Sequence, residues 1–216
     1  MCNRRAMGRR RMSVHYRVGM RFYDALSGER CVYRSGRERG VQLLDLRAGD
    51  TVVDLGCGTG LSFALLVDAV GPNGRVIGVD ASDAMLKVAR RRVAKNGWST
   101  VSLVNADALH VTGDDLPAGR VDAVFSSYAL SVMADPVGAM ERAVSLVKRG
   151  GRMGIVDMQR PTGMARVFTP FALAATATGG ADIDAHPWEW LKLHATDFSE
   201  DTRRGGHIVA AAGTLS

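Results

Sequence analysis

At 216 residues, 46% of them hydrophobic and 23% charged, the chain has the length of one domain with its own core, and wholesale disorder is excluded. It has no apolar run of the roughly 18 residues that a bilayer crossing requires, and its arginine-rich start lacks the apolar stretch of a secretory signal. Cys2, Cys31 and Cys57 are too few and too scattered for a disulfide framework or a zinc cluster, so a reduced, cytoplasmic protein without a metal is expected. The net charge of +6 is uneven: residues 1–40 hold 11 arginines against Asp24, Glu29 and Glu38, and the remainder is close to neutral. Such a segment can bind nucleic acid or an anionic membrane surface, or stand as a solvated tail. Residues 1–15 contain no aromatic side chain, which counts against base stacking and makes a nucleic-acid partner the weaker expectation.

Residues 1–40 read as a basic tail with lid helices and residues 41–216 as one α/β domain. From Val41 onward, apolar runs of strand length alternate with segments of helical period, the mark of βα units around a parallel sheet. The first strand is predicted at Thr51–Leu55, after a turn at Ala48-Gly49-Asp50, and a helix over about Leu61–Val70 follows. Gly71-Pro72-Asn73-Gly74 breaks the chain, and a second strand at Arg75–Val79 ends at Asp80. Ser82 is the predicted N-cap of a helix over Asp83–Lys95, which Asn96-Gly97 closes. A third strand at Val101–Asn105, a loop carrying Asp107, Gly113 and Pro117, and a fourth strand at Val121–Ser126 come next. Pro136 opens a helix that ends at Arg149-Gly150-Gly151, before a fifth strand at Arg152–Met158. After Gln159-Arg160-Pro161 the alternation stops. Residues 164–178 are apolar and rich in Ala and Thr, with Pro170 inside. A helix near Pro187–Leu193 and two short strands, Thr196–Ser199 and His207–Ala212, follow, the strands joined through Arg204-Gly205-Gly206 as a hairpin.

The most informative stretch is Val52–Gly60, VVDLGCGTG, between a predicted strand and a predicted helix. Its glycines permit a sharp turn and close approach of a ligand to the backbone, and the following helix offers N–H groups to a negative group. A phosphate-binding loop requires Lys followed by Ser or Thr after the last glycine, and Leu61-Ser62 stands there. The dinucleotide fingerprint would put its third glycine at position 61, which is Leu61. Asp54 places a negative charge just before the loop, unwelcome to a pyrophosphate and favourable to a cationic group.

Asp54-Leu55-Gly56-Cys57-Gly58-Thr59-Gly60, an acidic residue followed by G-x-G-x-G, resembles the first motif of the class I S-adenosylmethionine-dependent methyltransferases. The resemblance covers about Val41–Asp157, with a weaker echo in the C-terminal hairpin. It implies a three-layer Rossmann-like fold, a mostly parallel seven-stranded sheet ending in an antiparallel hairpin. The implied cofactor is S-adenosyl-L-methionine, with S-adenosyl-L-homocysteine as product. Asp54, Gly56, Cys57, Gly58 and Gly60 would then border it, Asp80 with Ala81 would take the ribose hydroxyls, and Met85 would lie near the adenine. Asp107 with Ala108 would meet the adenine amino group, and Ser126 would border the methyl group. Each has a plainer alternative: Asp80 as a turn or cap residue, Asp107 as a loop aspartate, Met85 as core, Ser126 as strand-end polarity, Tyr128 as packing under a helix. Tyr23-Asp24, in the segment His15–Ala25, looks like the Tyr-Asp pair of a pre-sheet helix that covers the cofactor in related enzymes. The wording Tyr23-Asp24-Ala25-Leu26-Ser27-Gly28-Glu29-Arg30 is similar to quinone C-methyltransferases and bacterial phospholipid N-methyltransferases.

Methyl transfer is an in-line displacement at a carbon that the donor already activates, so alignment and desolvation are the protein's main contribution, sometimes with a base. Candidate bases are His15, Tyr16, His110 and Tyr128, although a lone histidine is more often a surface or structural residue. Residues 159–193 are expected to cover the acceptor site. The apolar stretch within them suits a small apolar or amphipathic acceptor, an interfacial patch reaching a phospholipid or quinone, or ordinary core packing. An RNA or protein methyltransferase using the arginine-rich arm and a non-catalytic cofactor-binding scaffold stay open beside these. The acceptor atom and the oligomeric state are not readable.

Overall fold

The computed structural model describes residues 33–163 and 181–215. His15, Tyr16, Tyr23 and the apolar stretch 164–178 lie outside them. In chain order the described elements are α1 (Arg34–Leu44), β1 (Thr51–Leu55), α2 (Phe63–Val70), β2 (Arg75–Asp80), α3 (Asp83–Asn96), β3 (Val101–Asn105), β4 (Val121–Ser127), α4 (Pro136–Leu146), β5 (Val147–Met158), α5 (Pro187–His194), β6 (Ala195–Arg203) and β7 (Ile208–Leu215). The strands form one seven-stranded sheet in the order β3-β2-β1-β4-β5-β7-β6. The first five run parallel, and β7 enters antiparallel beside β5 with β6 outside it. This is the expected α/β architecture, including its antiparallel hairpin.

Successive strand residues point to opposite faces, and here both faces are covered, as a parallel sheet requires. Val52, Val76 and Phe125 pack with Leu44 of α1, Phe63 and Leu66 of α2 and Leu86 of α3. Val53, Ile77, Val124 and Ile155 pack on the other side with Met140 and Leu146 of α4 and Leu191 of α5. Three layers result. Helix α1 crosses the boundary expected at residue 40 and lies unusually close to the sheet. A Cβ at Gly36 would meet Ile208 Cγ2 at 2.6 Å, and one at Gly40 would overlap Val156 and reach Phe125 at 3.0 Å. The two glycines, one turn apart, face the sheet and carry α1 onto β4, β5 and β7.

Element boundaries differ from expectation at β7, which runs over Ile208–Leu215 rather than His207–Ala212, and in three further places. Helix α2 begins at Phe63 rather than Leu61, because residues 58–62 continue to turn: Gly60 N donates to Cys57 O at 2.9 Å and Phe63 N to Gly60 O at 3.3 Å. Helix α4 ends at Leu146, and β5 starts at Val147, which pairs with Val121 before the register shifts and pairing resumes at Ala123↔Arg152. Arg149-Gly150-Gly151 is thus an irregularity within β5; a side chain at Gly151 would meet Asp122 O at 2.6 Å. Strand β6 is longer than its apolar pattern suggested because its polar residues continue the ladder on the sheet's edge, with a further register shift between Thr196 and Ser199.

Arg152 closes α1 from the sheet side. Its Nε donates to Leu44 O at 2.8 Å, one Nη to Leu43 O at 3.0 Å and the other to Thr214 Oγ1 at 3.1 Å. A cation at the carbonyl end of a helix satisfies both the unpaired acceptors and the dipole. Arg152→Met is expected to lower unfolding stability by about 2 kcal/mol, read as a lower urea midpoint at unchanged slope. An unchanged midpoint would show that α1 does not depend on this clamp.

Candidate functional site

Because β1, β2, β3, β4 and β5 are parallel, their carboxyl ends share one edge, where an open α/β sheet receives ligands. The glycine loop folds back over the end of β2: Gly56 N and Cys57 N both donate to Val79 O, at 2.8 and 3.0 Å. Gly56, Gly58 and Gly60 have φ of 72°, 54° and 77°, a region that L side chains rarely adopt. A Cβ at Gly56 would meet that of Ala129 at 2.6 Å, whereas one at Gly58 would project into open space. Cys57 is buried, and that burial pushes its thiol well up, so it stays protonated and unreactive.

Asp80 ties loop and strand together. Its Oδ2 accepts from Gly58 N and its Oδ1 from Ser82 N, both at 2.8 Å. Burial raises the carboxyl pKa while these two N–H groups oppose the rise. Asn105 Nδ2 donates to Asp80 O at 3.0 Å, joining the end of β3 to the same point. Ala81 is exposed, and Ser82 caps α3 as expected by accepting from Met85 N at 3.3 Å, with Met85 itself buried.

Asp54 sits at the head of the loop, 1% exposed, and among the described residues its Oδ2 accepts no hydrogen bond. Burial pushes its pKa up to about 7; the Arg37 guanidinium opposes that shift and the Asp80 carboxylate adds to it. Arg37, on the sheet-facing side of α1 and 7% exposed, also lies over the Tyr128 ring, 4.8 Å from its centroid. Tyr128 holds a φ of 53° just past β4. Its N donates to Val156 O at 2.7 Å, its hydroxyl donates to Tyr33 O at 2.9 Å, and its ring meets Tyr33 edge-on at 5.1 Å. Ser126 is buried and donates to Leu55 O at 2.9 Å, a bridge between β4 and β1. Beside it, the Ser62 and Ser127 hydroxyls hydrogen-bond at 3.0 Å and couple the start of α2 to the tip of β4.

The structure thus brings Asp54, the glycines and Asp80 together, with Tyr128 and Ser126 on one side. Asp107 lies on the other side, beyond β3, where its Oδ1 accepts from Leu109 N at 2.9 Å in a local turn and Ala108 is buried. His110 is exposed, with Nδ1 3.8 Å from Asp107 Oδ2. Sequence reasoning missed Arg37 and Tyr33, and also Asp157. The Gly36 and Gly40 spacing was the available signal for Arg37, hidden in a run read as solvated charge. Asp157, fully buried at the end of β5, accepts from Ser131 N at 3.0 Å, Ser131 Oγ at 2.7 Å and Met158 N at 2.9 Å; burial pushes it up to about 6 against these bonds. Among the described residues no group of three His, Cys, Asp or Glu is placed to hold a metal, and no helix is long and apolar enough to cross a membrane.

A family model described as a methyltransferase domain matches residues 46–188. The demethylmenaquinone methyltransferase of Shouchella clausii is 32% identical over 130 residues, 60% of this chain and 54% of that protein. The ubiquinone/menaquinone biosynthesis C-methyltransferase UbiE of Pseudomonas putida is 30% identical over 173 residues, 78% of this chain and 66% of that protein. The chain spans between one third and two thirds of the length of the curated relatives it matches. The crystal structure of a SAM-dependent methyltransferase from Aquifex aeolicus superposes with a TM-score of 0.63 at 18% identity, covering 91% of this chain and 97% of that one. The matched segment holds the glycine loop and all five parallel strands, and on that match the chain belongs to the methyltransferase domain family.

Proposed function

We propose that the chain transfers a methyl group from S-adenosyl-L-methionine to a small organic acceptor of apolar or amphipathic character. The observation that carries this reading is Asp54: a buried carboxylate whose Oδ2 accepts nothing among the described residues, at the head of a loop whose Gly58 opens onto free space. An orphaned buried acceptor is costly unless a ligand supplies the donor, and an α-ammonium group does so. Asp80 keeps acceptor lone pairs for ribose hydroxyls beyond its two backbone bonds, and Gly56, Cys57, Gly58 and Gly60 would line the same ligand. Ala81 would lie beside Asp80 at the ribose, Met85, Asp107 and Ala108 along the adenine, Ser126 at the methyl end, and Tyr23 in the covering segment.

When bound, the donor supplies a methyl group already activated as a sulfonium. The chain's own residues then orient it and keep water away. Asp54 neutralises an ammonium, Asp80 fixes the ribose end, and the Ser62–Ser127 contact holds the loop against β4. His15, Tyr16, His110 and Tyr128 are the candidate bases read from the sequence. The Tyr128 hydroxyl donates a hydrogen bond to the Tyr33 carbonyl, a bond it would have to break to act as one. Relatives named for quinone biosynthesis support a small-molecule acceptor and leave membrane-surface contact open. The test is methyl-labelled S-adenosyl-L-methionine with protein and cell extract: label is expected in small or organic-soluble material, and label in acid-precipitable polymer would overturn the acceptor class.

Two further outcomes follow from the site. Asp80→Ala should weaken S-adenosyl-L-homocysteine binding by about 10–100-fold in calorimetry; wild-type affinity would refute the pocket. Asp54 has a folded pKa of about 7, above its unfolded value. It therefore favours the fold below the unfolded pKa, and that contribution is lost as pH rises through about 7. Asp54→Asn is accordingly expected to raise the thermal midpoint of the ligand-free protein at alkaline pH more than at acid pH, while weakening product binding. In the wild type, binding should tighten as pH rises through the same range, because the ammonium meets an ionised partner. Affinity independent of pH there would remove Asp54 from the site.

A further inference from the structure

The sheet face that carries α4 and α5 bears an exposed apolar side chain beside an apolar groove. Leu193, in the last turn of α5, is 81% exposed, against 44% for Val132 and Val137, the other large aliphatic side chains exposed among the described residues. Next to it lies a groove of about 270 Å³ between α4 and α5, lined by Val144, Trp190, His194 and Leu215, with Glu141 at its polar side. Its aromatic wall is held in place: the His194 ring stacks on Trp190 at 4.1 Å and 14°, and His194 Nδ1 lies 2.8 Å from Trp190 O. An ordered tryptophan loses little rotamer freedom on binding, one reason that such side chains dominate protein interfaces.

The groove is remote from the ligand edge. Helix α5 begins where Trp188 packs on Val209, near the start of β7, and ends with His194 beside Leu215, at the end of β7. Because β7 runs antiparallel to β5, that end lies at the amino edge of the sheet. Thr162 N donates to Gly205 O and Asp182 N to Ser131 O, so the chain on either side of residues 164–180 is anchored at the opposite, carboxyl edge. Charge then indicates what fits. Glu189, Lys192 and Leu193 fall at i, i+3 and i+4, one exposed stripe of α5. Neither Glu189 nor Lys192 forms an ion pair among the described residues. A surface that meets its own copy across a two-fold axis must carry both signs, and this one does. The outer face of α3, with Lys87, Arg90, Arg91 and Lys95 exposed, would repel its own copy.

We propose that the outer face of α5 and the groove beside it form a homodimer interface, occupied by the same face of a second copy of the chain. The two α5 helices cross antiparallel about a two-fold axis. Leu193 of each copy enters the groove beside Trp190 and Val144 of the other, and Glu189 of each meets Lys192 of the other. Since α5 runs from the ligand edge to the amino edge, antiparallel crossing sends the two ligand edges to opposite ends of the dimer. Each copy therefore keeps its own candidate site open.

The test is sedimentation equilibrium of the full chain at about 1 to 100 μM, over which the wild type should pass from monomer to dimer mass. Leu193→Glu should raise the dissociation constant at least about 100-fold, with an unchanged circular-dichroism spectrum because the side chain is so exposed. Glu189→Lys and Lys192→Glu should each raise it about tenfold. The two reversals together should restore it to within about threefold, a rescue that only pairing between these positions produces. A dimer indifferent to Leu193→Glu, or to both single reversals, would place the interface elsewhere and overturn the inference. A wild type that stays monomeric throughout would overturn it as well. In that monomer, slow amide exchange along α5 would assign the groove to residues 164–180 of the same chain, and fast exchange would leave it to a different protein.

Discussion

A helix can approach a sheet only as closely as its side chains allow, and at Gly36 and Gly40 there are none. The close seat of α1 over β4, β5 and β7 follows from those two positions, since a Cβ at either would collide with Val156 or Ile208. Much of the candidate site hangs on that seat. It carries Arg37, between the two glycines, to within reach of the Tyr128 ring and the Asp54 carboxylate, and it brings the Tyr33 carbonyl to the Tyr128 hydroxyl. The Arg152 clamp fixes the far end of the same helix. Gly36 and Gly40 sacrifice helix propensity for placement.

The carboxyl edge of the sheet concentrates buried acids. Asp54, Asp80 and Asp157 end three different strands or stand just before their ends, and burial raises all three. Their satisfaction differs. Asp157 takes three hydrogen bonds and Asp80 two, whereas Asp54 Oδ2 takes none among the described residues. Graded this way, Asp157 holds the Ser131 turn after β4, Asp80 holds the glycine loop, and Asp54 Oδ2 is left without a donor among the described residues.

Much of this was legible in the chain itself. VVDLGCGTG, whose first four residues complete a five-residue strand, marked the loop, and the parallel strands came out within a residue or two except for β5. The start of β5 was obscured because Lys148–Gly151 carries turn residues, and only pairing with β4 makes Val147 extended. The length of β6 was hidden because its polar side chains carry no apolar alternation. Candidate-site residues were legible where the pattern is local, as in Asp54, Gly58 and Asp80. They were not where long-range packing assembles them: Arg37 reads as surface charge until α1 meets the sheet.

The outermost strand, β6, has its own protection. A strand with a free edge offers unpaired N–H and C=O groups to any other strand, and long, flat, apolar edges invite chain-to-chain association. Here the edge is bent by the shift between Thr196 and Ser199, where Asp197 takes a left-handed φ of 51°. It carries Glu200, Asp201 and Arg203, with Asp201 bonded to Arg39 at 2.6 Å and to Arg203 at 2.8 Å. A second copy adding to this edge would have to straighten the bend and strip water from those charges. The β6 edge is therefore a poor template for a further strand from another chain.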